Sequence, residues 1–361
     1  MSETRLLEQV TSEILGDYLF GPPASIHAGE GRADEGWAPA LWATLTEAGL
    51  LLVAVPEARG GAGGGWPELA AVLRPSGRFG APVPLAEHCA LAGWLLAEAS
   101  LPIPDGPLTL APTRADDRLE LVADGDGWRL TGLAGRVPWA SQAAAIVVLA
   151  AAGAEQAVAV VPPAAGRIEP SANLAGEPRD RVTFEDVRLA HDAVAEVSLA
   201  WDDLLVRGAL TRSIQMVGAL DRLLELTVEY AQSRTQFGRP LGRFQAVQQD
   251  LARLAGECVA SAAAVEGAVA AAGRGDCLAE VAAAKVRTAE ASALATRIAH
   301  QLHGAIGFTR EHQLHRFTTR LWSWRDEFGG EREWAIRLGR LAAALGSDGY
   351  WDWLTGGAAA R

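Results

Sequence analysis

The stretch YAQSRTQFGRPLGRFQAVQ, residues 230–248, joins two segments of helical character. Leu210 to Arg234 is rich in Ala and Leu, which are good helix formers. Beyond the join, apolar residues recur at steps of three and four, which predicts a second amphipathic helix: they are Phe244, Val247, Leu251, Leu254 and Cys258. An arginine, a Phe-Gly turn and several amides therefore meet at one interhelical corner. Such a corner suits a pyrophosphate and a flat ring system, although an ordinary loop would explain the same residues equally well.

The middle of the chain changes from a helical to an alternating pattern. Arg118 to Val122 and Trp128 to Gly132 flank the turn Asp124-Gly125-Asp126-Gly127, which is typical of a β-hairpin. Other short strands are indicated at 146–149, 157–161 and 181–184. The order of helices, strands and helices predicts an α+β multi-domain chain. We expect an N-terminal helical bundle (1–108), a middle antiparallel β-sandwich or barrel (109–198) and a C-terminal four-helix bundle (199–361).

Composition limits the classes of partner. The 361 residues carry a net charge of −12, which disfavours nucleic acid. The three cysteines include no CxxC pair, which indicates a reducing, cytoplasmic setting. No apolar run reaches the roughly 18 residues of a spanning helix, since Glu155 interrupts the longest candidate, Ala143 to Val161. We therefore expect no nucleic-acid or membrane partner.

Four histidines, His300, His303, His312 and His315, form two HxxH pairs. Histidines three residues apart share a helix face and can bind a metal. Glycines at 304 and 307 lie between the pairs and would break the helix that must align them. We therefore expect no metal site.

Several stretches resemble acyl-CoA dehydrogenases, a flavoprotein family of lipid metabolism. Residues 234–248 are similar to the family's "RxQFG…FQxxQ", and Gln301 to Thr309 to its "QxxGGxGF". The segment 41–61, Ala81 to Leu85 and Thr183 to Arg188 resemble its "LWxxLxxxGLxxLxVPxxxGG", "APVPL" and "FxDVxVP" tracts. These matches occur in the family's order along nearly the whole chain. Together they imply an FAD-dependent oxidoreductase that acts on an acyl-CoA thioester.

The resemblance implies that FAD lies at a subunit interface. One subunit holds the flavin ring with its β-domain, and its dimer mate grips the pyrophosphate and adenosine. The residues that match the mate's grip are Arg234, Gln236, Phe237, Gln245, Gln301 and Gly304. On the flavin side, residues 110–117 match the family's "TEPxxGSD" tract poorly, and Trp139 is the candidate for its flavin-flanking tryptophan.

The family's catalytic base is a glutamate that removes the α-proton of the thioester. An ungapped count from Gly304 places Phe328 at the usual position of this base. A second branch carries its glutamate on the helix before "RxQFG", where this chain has Gly208. Neither residue can accept a proton. Glu327 is one residue away, and one residue turns a helical side chain by about 100°.

Three hypotheses follow from this pattern. The first is a companion subunit that pairs with a glutamate-bearing homologue, as in a heterotetramer, and completes that partner's FAD site. The second is a self-sufficient homo-oligomeric acyl-CoA dehydrogenase that uses Glu327 as the base. The third is a non-catalytic protein that binds acyl-CoA or flavin.

Overall fold

The N-terminal part of the chain is helical. A computed structural model describes residues 2–20 and 36–354 of the chain. The N-terminal helices are α1 Glu3–Phe20, α2 Pro39–Glu47, α3 Trp66–Phe79 and α4 Gly93–Glu98, with a π-helical segment Ala86–Ala92 before α4. Gly49 follows α2 with φ +71°, so it supplies the left-handed residue expected where this helix stops.

The middle of the chain forms one eight-stranded sheet. Its strands are β1 Leu108–Ala111, β2 Arg118–Asp124, β3 Gly127–Pro138, β4 Ala145–Ala152, β5 Glu155–Val161, β6 Arg167–Glu169, β7 Arg179–Ala190 and β8 Val194–Val197. They are ordered β6-β7-β3-β2-β4-β5-β8, with β1 beside β4. The predicted hairpin is present, because β2 pairs with β3 in antiparallel fashion.

Two pairings in this sheet differ from the antiparallel expectation. Strand β4 runs parallel to both β1 and β2. An alternating pattern shows which faces of a strand are buried, and it carries no information on the direction of the neighbouring strand. The sheet is therefore mixed.

The C-terminal part is helical again, as predicted. Its helices are α5 Trp201–Ser233, α6 Gln245–Ala272, α7 Leu278–His303, α8 Leu314–Trp324 and α9 Glu331–Leu354, which is kinked at Gly346. A short hairpin, β9 Thr235–Gln236 and β10 Arg239–Pro240, follows α5. The expected helix–sheet–helix architecture is confirmed. The boundaries 1–108, 109–198 and 199–361 stay predictions, and they include residues 1, 21–35 and 355–361 outside the described part.

Helices α3 and α5 cross with their backbones in contact. A Cβ atom on Gly77 would lie 1.9 Å from the carbonyl oxygen of Gln215, and one on Gly218 would lie 2.0 Å from that of Arg74. Any side chain at either glycine would push the helices apart. This crossing fixes the face of α5 that carries Gly208 and Arg212, and thereby positions the site described below.

Helix α6 is apolar enough to be a candidate membrane span, which the sequence pattern did not predict. Within the described residues it is the one helix whose length and composition would permit a membrane span, with a mean hydropathy of 1.4 in its most apolar window. One third of that window is buried in the chain, where α6 packs against α5 and α7. Our expectation required an uninterrupted apolar run, whereas the helix contains Glu257 and Glu266 among its alanines. A single helix of this kind is weak evidence for a membrane.

Lys285, the only lysine of the chain, is fully buried on α7. Its ammonium donates to the carbonyl oxygens of Trp324 (2.9 Å) and Glu327 (2.8 Å). These carbonyls lie at and just beyond the C-terminal end of α8, where a cation is stabilised by the helix dipole. Lys285 therefore holds the segment that follows α8.

We expect Lys285→Met to lower the free energy of unfolding by about 1–3 kcal/mol, because two carbonyls lose their donor. Burial lowers the pKa of Lys285 from 10.5 to about 7. Between these values the unfolded chain binds more protons, so wild-type stability rises with pH there, and the variant should lose this rise. Urea unfolding at several pH values measures both effects, with exposed Arg297→Met as the control. Unchanged stability and an unchanged pH profile would contradict the assigned role.

Candidate functional site

A cavity of about 650 Å³ lies at the corner between α5, α6 and α7. The structure brings four of the six residues predicted for the adenosine side into its lining: Arg234, Gln236, Gln301 and Gly304. Arg234 caps the C-terminal end of α5, and Gly304 follows α7 with φ +64°. That backbone conformation favours glycine and leaves the adjoining space open.

Phe237 and Gln245 lie outside this lining. Phe237 stands at the tip of the β9–β10 hairpin with 91% of its surface exposed. Its ring centroid is 6.3 Å from that of Phe244, and Gln245 is the exposed first residue of α6. An apolar ring in this position gains free energy when another molecule covers it.

The histidine cluster forms aromatic stacks beside the same cavity. His303 lies 4.4 Å from the ring of Tyr230 and 4.7 Å from that of His312, and its Nδ1 bonds to the carbonyl of Ala299. Burial lowers the pKa of His303 below its ordinary value. Within residues 2–20 and 36–354, no three His, Cys, Asp or Glu side chains are grouped to hold a metal ion.

The two residues that the sequence resemblance aligns with the family's base contact each other. Phe328 is 3% exposed and its ring covers Gly208 of α5. A Cβ atom on Gly208 would lie 2.3 Å from Cδ1 of Phe328, so no larger residue fits there. The turn that directs this ring has φ +53° at Phe328 and +88° at Gly329, and the indole of Trp334 donates to the carbonyl of Phe328 (2.9 Å).

Glu327 lies between two arginines. Its Oε1 accepts from Nε of Arg179 (2.8 Å), and its Oε2 accepts from Nε of Arg212 (2.7 Å). Although burial opposes ionisation, the two guanidinium groups hold the pKa of Glu327 down at about 2. Both oxygens of this carboxylate are therefore engaged and charged.

These contacts belong to a longer buried series, which we call the ion-pair chain: Glu87, Arg212, Glu327, Arg179, Glu177 and Arg320. Arg212 donates to Glu87 at 2.5 Å, and Arg179 and Arg320 both donate to Glu177 (3.1 and 3.0 Å). The N-terminal helices contribute Glu87, the β-domain contributes Glu177 and Arg179, and the C-terminal helices contribute the rest. The ion-pair chain thus connects all three parts of the fold.

Sequence reasoning missed the ion-pair chain apart from Glu327. Its members are up to 240 positions apart, from Glu87 to Glu327, and no local spacing relates them. One signal was present, since Arg212 lies four residues after Gly208 and so on the same face of α5. A charged residue on a buried helical face requires a partner.

In the region expected to face the flavin ring, the polar groups form hydrogen bonds with one another. The backbone N–H and hydroxyl of Ser141 both donate to Asp180, at 2.9 and 2.8 Å, and the hydroxyl of Thr113 donates to the carbonyl of Gly135 (3.1 Å). Trp139 is 4% exposed. A cavity of about 360 Å³ remains between the β-domain and Phe328, lined in part by Arg136, Glu327 and Thr113.

Comparisons with known proteins agree with this fold. The model of the acyl-CoA dehydrogenase N-terminal domain matches residues 23–100, and that of the C-terminal domain matches residues 202–338. The chain is 29% identical to the acyl-CoA dehydrogenase IpdE2 of Mycobacterium tuberculosis over 88% of this chain and 90% of that protein. It therefore belongs to the acyl-CoA dehydrogenase family, whose members are oxidoreductases acting on CH–CH bonds.

Two solved structures are similar over almost the whole chain. One is the ChsE4–ChsE5 complex from Mycobacterium tuberculosis, with a TM-score of 0.84 and 26% identity, covering 95% of this chain and 98% of that chain. The other is a variant of the steroid acyl-CoA dehydrogenase Tcur3481–Tcur3483, with a TM-score of 0.83, 28% identity and the same coverage.

Acid titration tests the ion pairs of Glu327. A carboxyl whose pKa is lower in the folded state stabilises the fold above its unfolded pKa of 4.5 and loses this effect as the pH falls through about 2. Between pH 5 and 2, the stability difference between wild type and Glu327→Gln should shrink by about 3 kcal/mol. Exposed Glu311→Gln is the control in urea unfolding. A constant difference across this range would show that Glu327 is not held charged.

A double-mutant cycle tests the contact between Gly208 and Phe328. We expect Gly208→Ala to cost about 1–3 kcal/mol through overpacking, and Phe328→Ala to cost about 3–5 kcal/mol through the cavity it leaves. In the double variant the new methyl enters the vacated space. Its cost, measured by denaturant unfolding, should be at least about 1 kcal/mol below the sum. Additive costs would mean that the two residues do not touch.

Proposed function

We propose that this chain is the companion subunit of a heteromeric acyl-CoA dehydrogenase. It pairs with a homologue that carries the catalytic glutamate and completes the FAD site of that homologue. The observation that carries the proposal is the contact of Phe328 with Gly208. Both family positions for the base lie here, and they fill one another's space without a carboxylate.

Glu327 is a poor substitute for the missing base. A general base must reach the proton that it removes and have a pKa near the working pH. With a pKa of about 2, Glu327 holds a proton weakly. Each of its oxygens would also have to leave an arginine, which would strand a buried guanidinium. The low pKa and the ion pairs of Glu327 favour the companion role over a self-sufficient enzyme.

The residues present fit the phosphate end of FAD better than its ring. Arg234 can neutralise a diphosphate, Gln301 can bond to it, and Gly304 lets the backbone approach it. On the other side, the hydroxyl and N–H of Ser141 already bond to Asp180. A bound FAD would supply the acceptor for the hydride that leaves the thioester. The contribution of this chain is to hold the cofactor and exclude water at the interface.

The similar structures support a paired assembly. Each is named for two proteins, ChsE4 with ChsE5 and Tcur3481 with Tcur3483, and the second is called a steroid acyl-CoA dehydrogenase. We therefore include acyl-CoA thioesters of steroid side chains beside straight-chain thioesters among the test substrates. The thioesters that are dehydrogenated in this set will identify the acyl group.

The test is co-expression with a glutamate-bearing homologue from the same genome. We expect a stable complex that contains FAD and dehydrogenates at least one thioester. This chain alone should neither retain FAD nor dehydrogenate a thioester. Arg234→Gln in the complex should lower the affinity for FAD at least tenfold, because a phosphate contact is lost. The matched control is Arg243→Gln, which changes an exposed arginine of the same connection outside the cavity lining.

Two results would refute the proposal. One is stoichiometric FAD with rapid turnover in the chain alone, which would favour the self-sufficient enzyme. The other is a complex whose FAD affinity is equally insensitive to Arg234→Gln and Arg243→Gln. A complex that binds acyl-CoA or flavin without any turnover would favour the non-catalytic alternative.

A further inference from the structure

A third cavity, of about 640 Å³, lies on the opposite side of α5 from the contact of Phe328. It is bounded by the N-terminal helices, by α5 and by the connection between α6 and α7. Its walls are largely apolar, formed by Trp66, Trp94, Val206, Leu210, Ala272 and Leu278. A volume of this size is within the usual range for a small-molecule site at a domain junction.

Two arginines line this cavity, and one of them, Arg337, pairs with Asp202. The guanidinium of the other, Arg207, packs against two indoles, with Cζ 4.6 Å from the ring centroid of Trp66 and 4.7 Å from that of Trp94. Its Nε donates to the carbonyl of Ala90. Across the described residues, the other four N–H groups of this guanidinium have no hydrogen-bond acceptor, and no carboxylate lies within ion-pair distance of it.

The acidic residues around the cavity are mostly occupied elsewhere. Glu98 accepts from the indole N–H of Trp94 (3.1 Å), Asp202 pairs with Arg337 (3.2 Å), and Asp203 accepts from the N–H of Ala200 (2.7 Å). Asp276 is exposed at the rim. Burial lowers the pKa of Arg207 to about 9, while Glu98 opposes that effect from a distance. The charge of Arg207 is therefore incompletely compensated.

We propose that this cavity binds the carboxylate of an apolar organic acid, with the carboxylate paired to Arg207 beside the two indoles. A carboxylate is planar and accepts two parallel N–H bonds from a guanidinium. It therefore lies in the plane of the guanidinium, beside the rings of Trp66 and Trp94. Inorganic phosphate has no hydrocarbon tail, so the apolar walls add nothing to its binding. The apolar walls take the hydrocarbon tail. This site is separate from the proposed cofactor grip and does not depend on it.

Calorimetric titration of the full-length chain with decanoate tests this proposal. We expect saturable binding of one decanoate, at least tenfold weaker binding of decanol, and no competition by inorganic phosphate. Arg207→Gln should weaken decanoate binding at least tenfold. Ala272→Phe fills the cavity from the end of α6 and should have the same effect without touching the guanidinium. Ala270→Phe, exposed on the same helix, is the matched control and should bind as wild type does.

Circular dichroism and thermal unfolding establish that each variant is folded. If Arg207→Gln does not fold, the comparison of Ala272→Phe with Ala270→Phe still decides the location of the site. Decanoate binding that survives Ala272→Phe would overturn the proposal, and so would equal binding of decanol. Competition by phosphate at the same concentration as decanoate would overturn the assignment of a carboxylate. Absence of any decanoate binding would overturn the site itself.

Discussion

The ion pairs that Glu327 makes with Arg179 and Arg212 constrain the rest of this molecule. A buried charge is costly unless it is paired and hydrogen-bonded, and removing one partner leaves the other uncompensated. The ion-pair chain satisfies this requirement by alternating acids and arginines from Glu87 to Arg320. Because its members come from all three parts of the fold, it fixes how the N-terminal helices, the sheet and the C-terminal helices meet.

The same contacts determine the conformation of the segment after α8. Glu327 pairs with its two arginines. Lys285 donates to the carbonyl oxygens of Trp324 and Glu327. Phe328 must then direct its ring onto Gly208. The contact of Phe328 with Gly208, the two residues that the resemblance aligns with the family's base, is thereby a packed junction beside the ion pairs of Glu327. The cavity around Arg234 lies at another corner and is lined by four of the residues expected to bind the adenosine side, which is why we propose that the chain supports a partner's cofactor.

Sequence reasoning identified the elements that local patterns specify. Helix α5 and the β2–β3 hairpin were predicted because their signals lie within a few turns or a few residues. The predicted antiparallel direction is present in most pairings of the sheet and was wrong only for β4, which runs parallel to β1 and β2. The residues expected to bind the adenosine side of FAD were predicted only from the family resemblance. In the structure, four of them line one cavity. The contact of Phe328 with Gly208, 120 positions apart, has no local signal. The ion pairs of Glu327 could not be predicted from the sequence either, because its partners are arginines far away in the chain.

Exchange of the α-hydrogens of an acyl-CoA in deuterated water measures proton abstraction directly and does not require turnover. The informative sample is the FAD-loaded complex in which the partner's catalytic glutamate has been replaced by glutamine. We expect exchange at the rate of the thioester in buffer, because Arg179 and Arg212 hold both oxygens of Glu327 and prevent it from taking the proton. Exchange clearly above that rate, abolished by Glu327→Gln in this chain, would contradict the companion role.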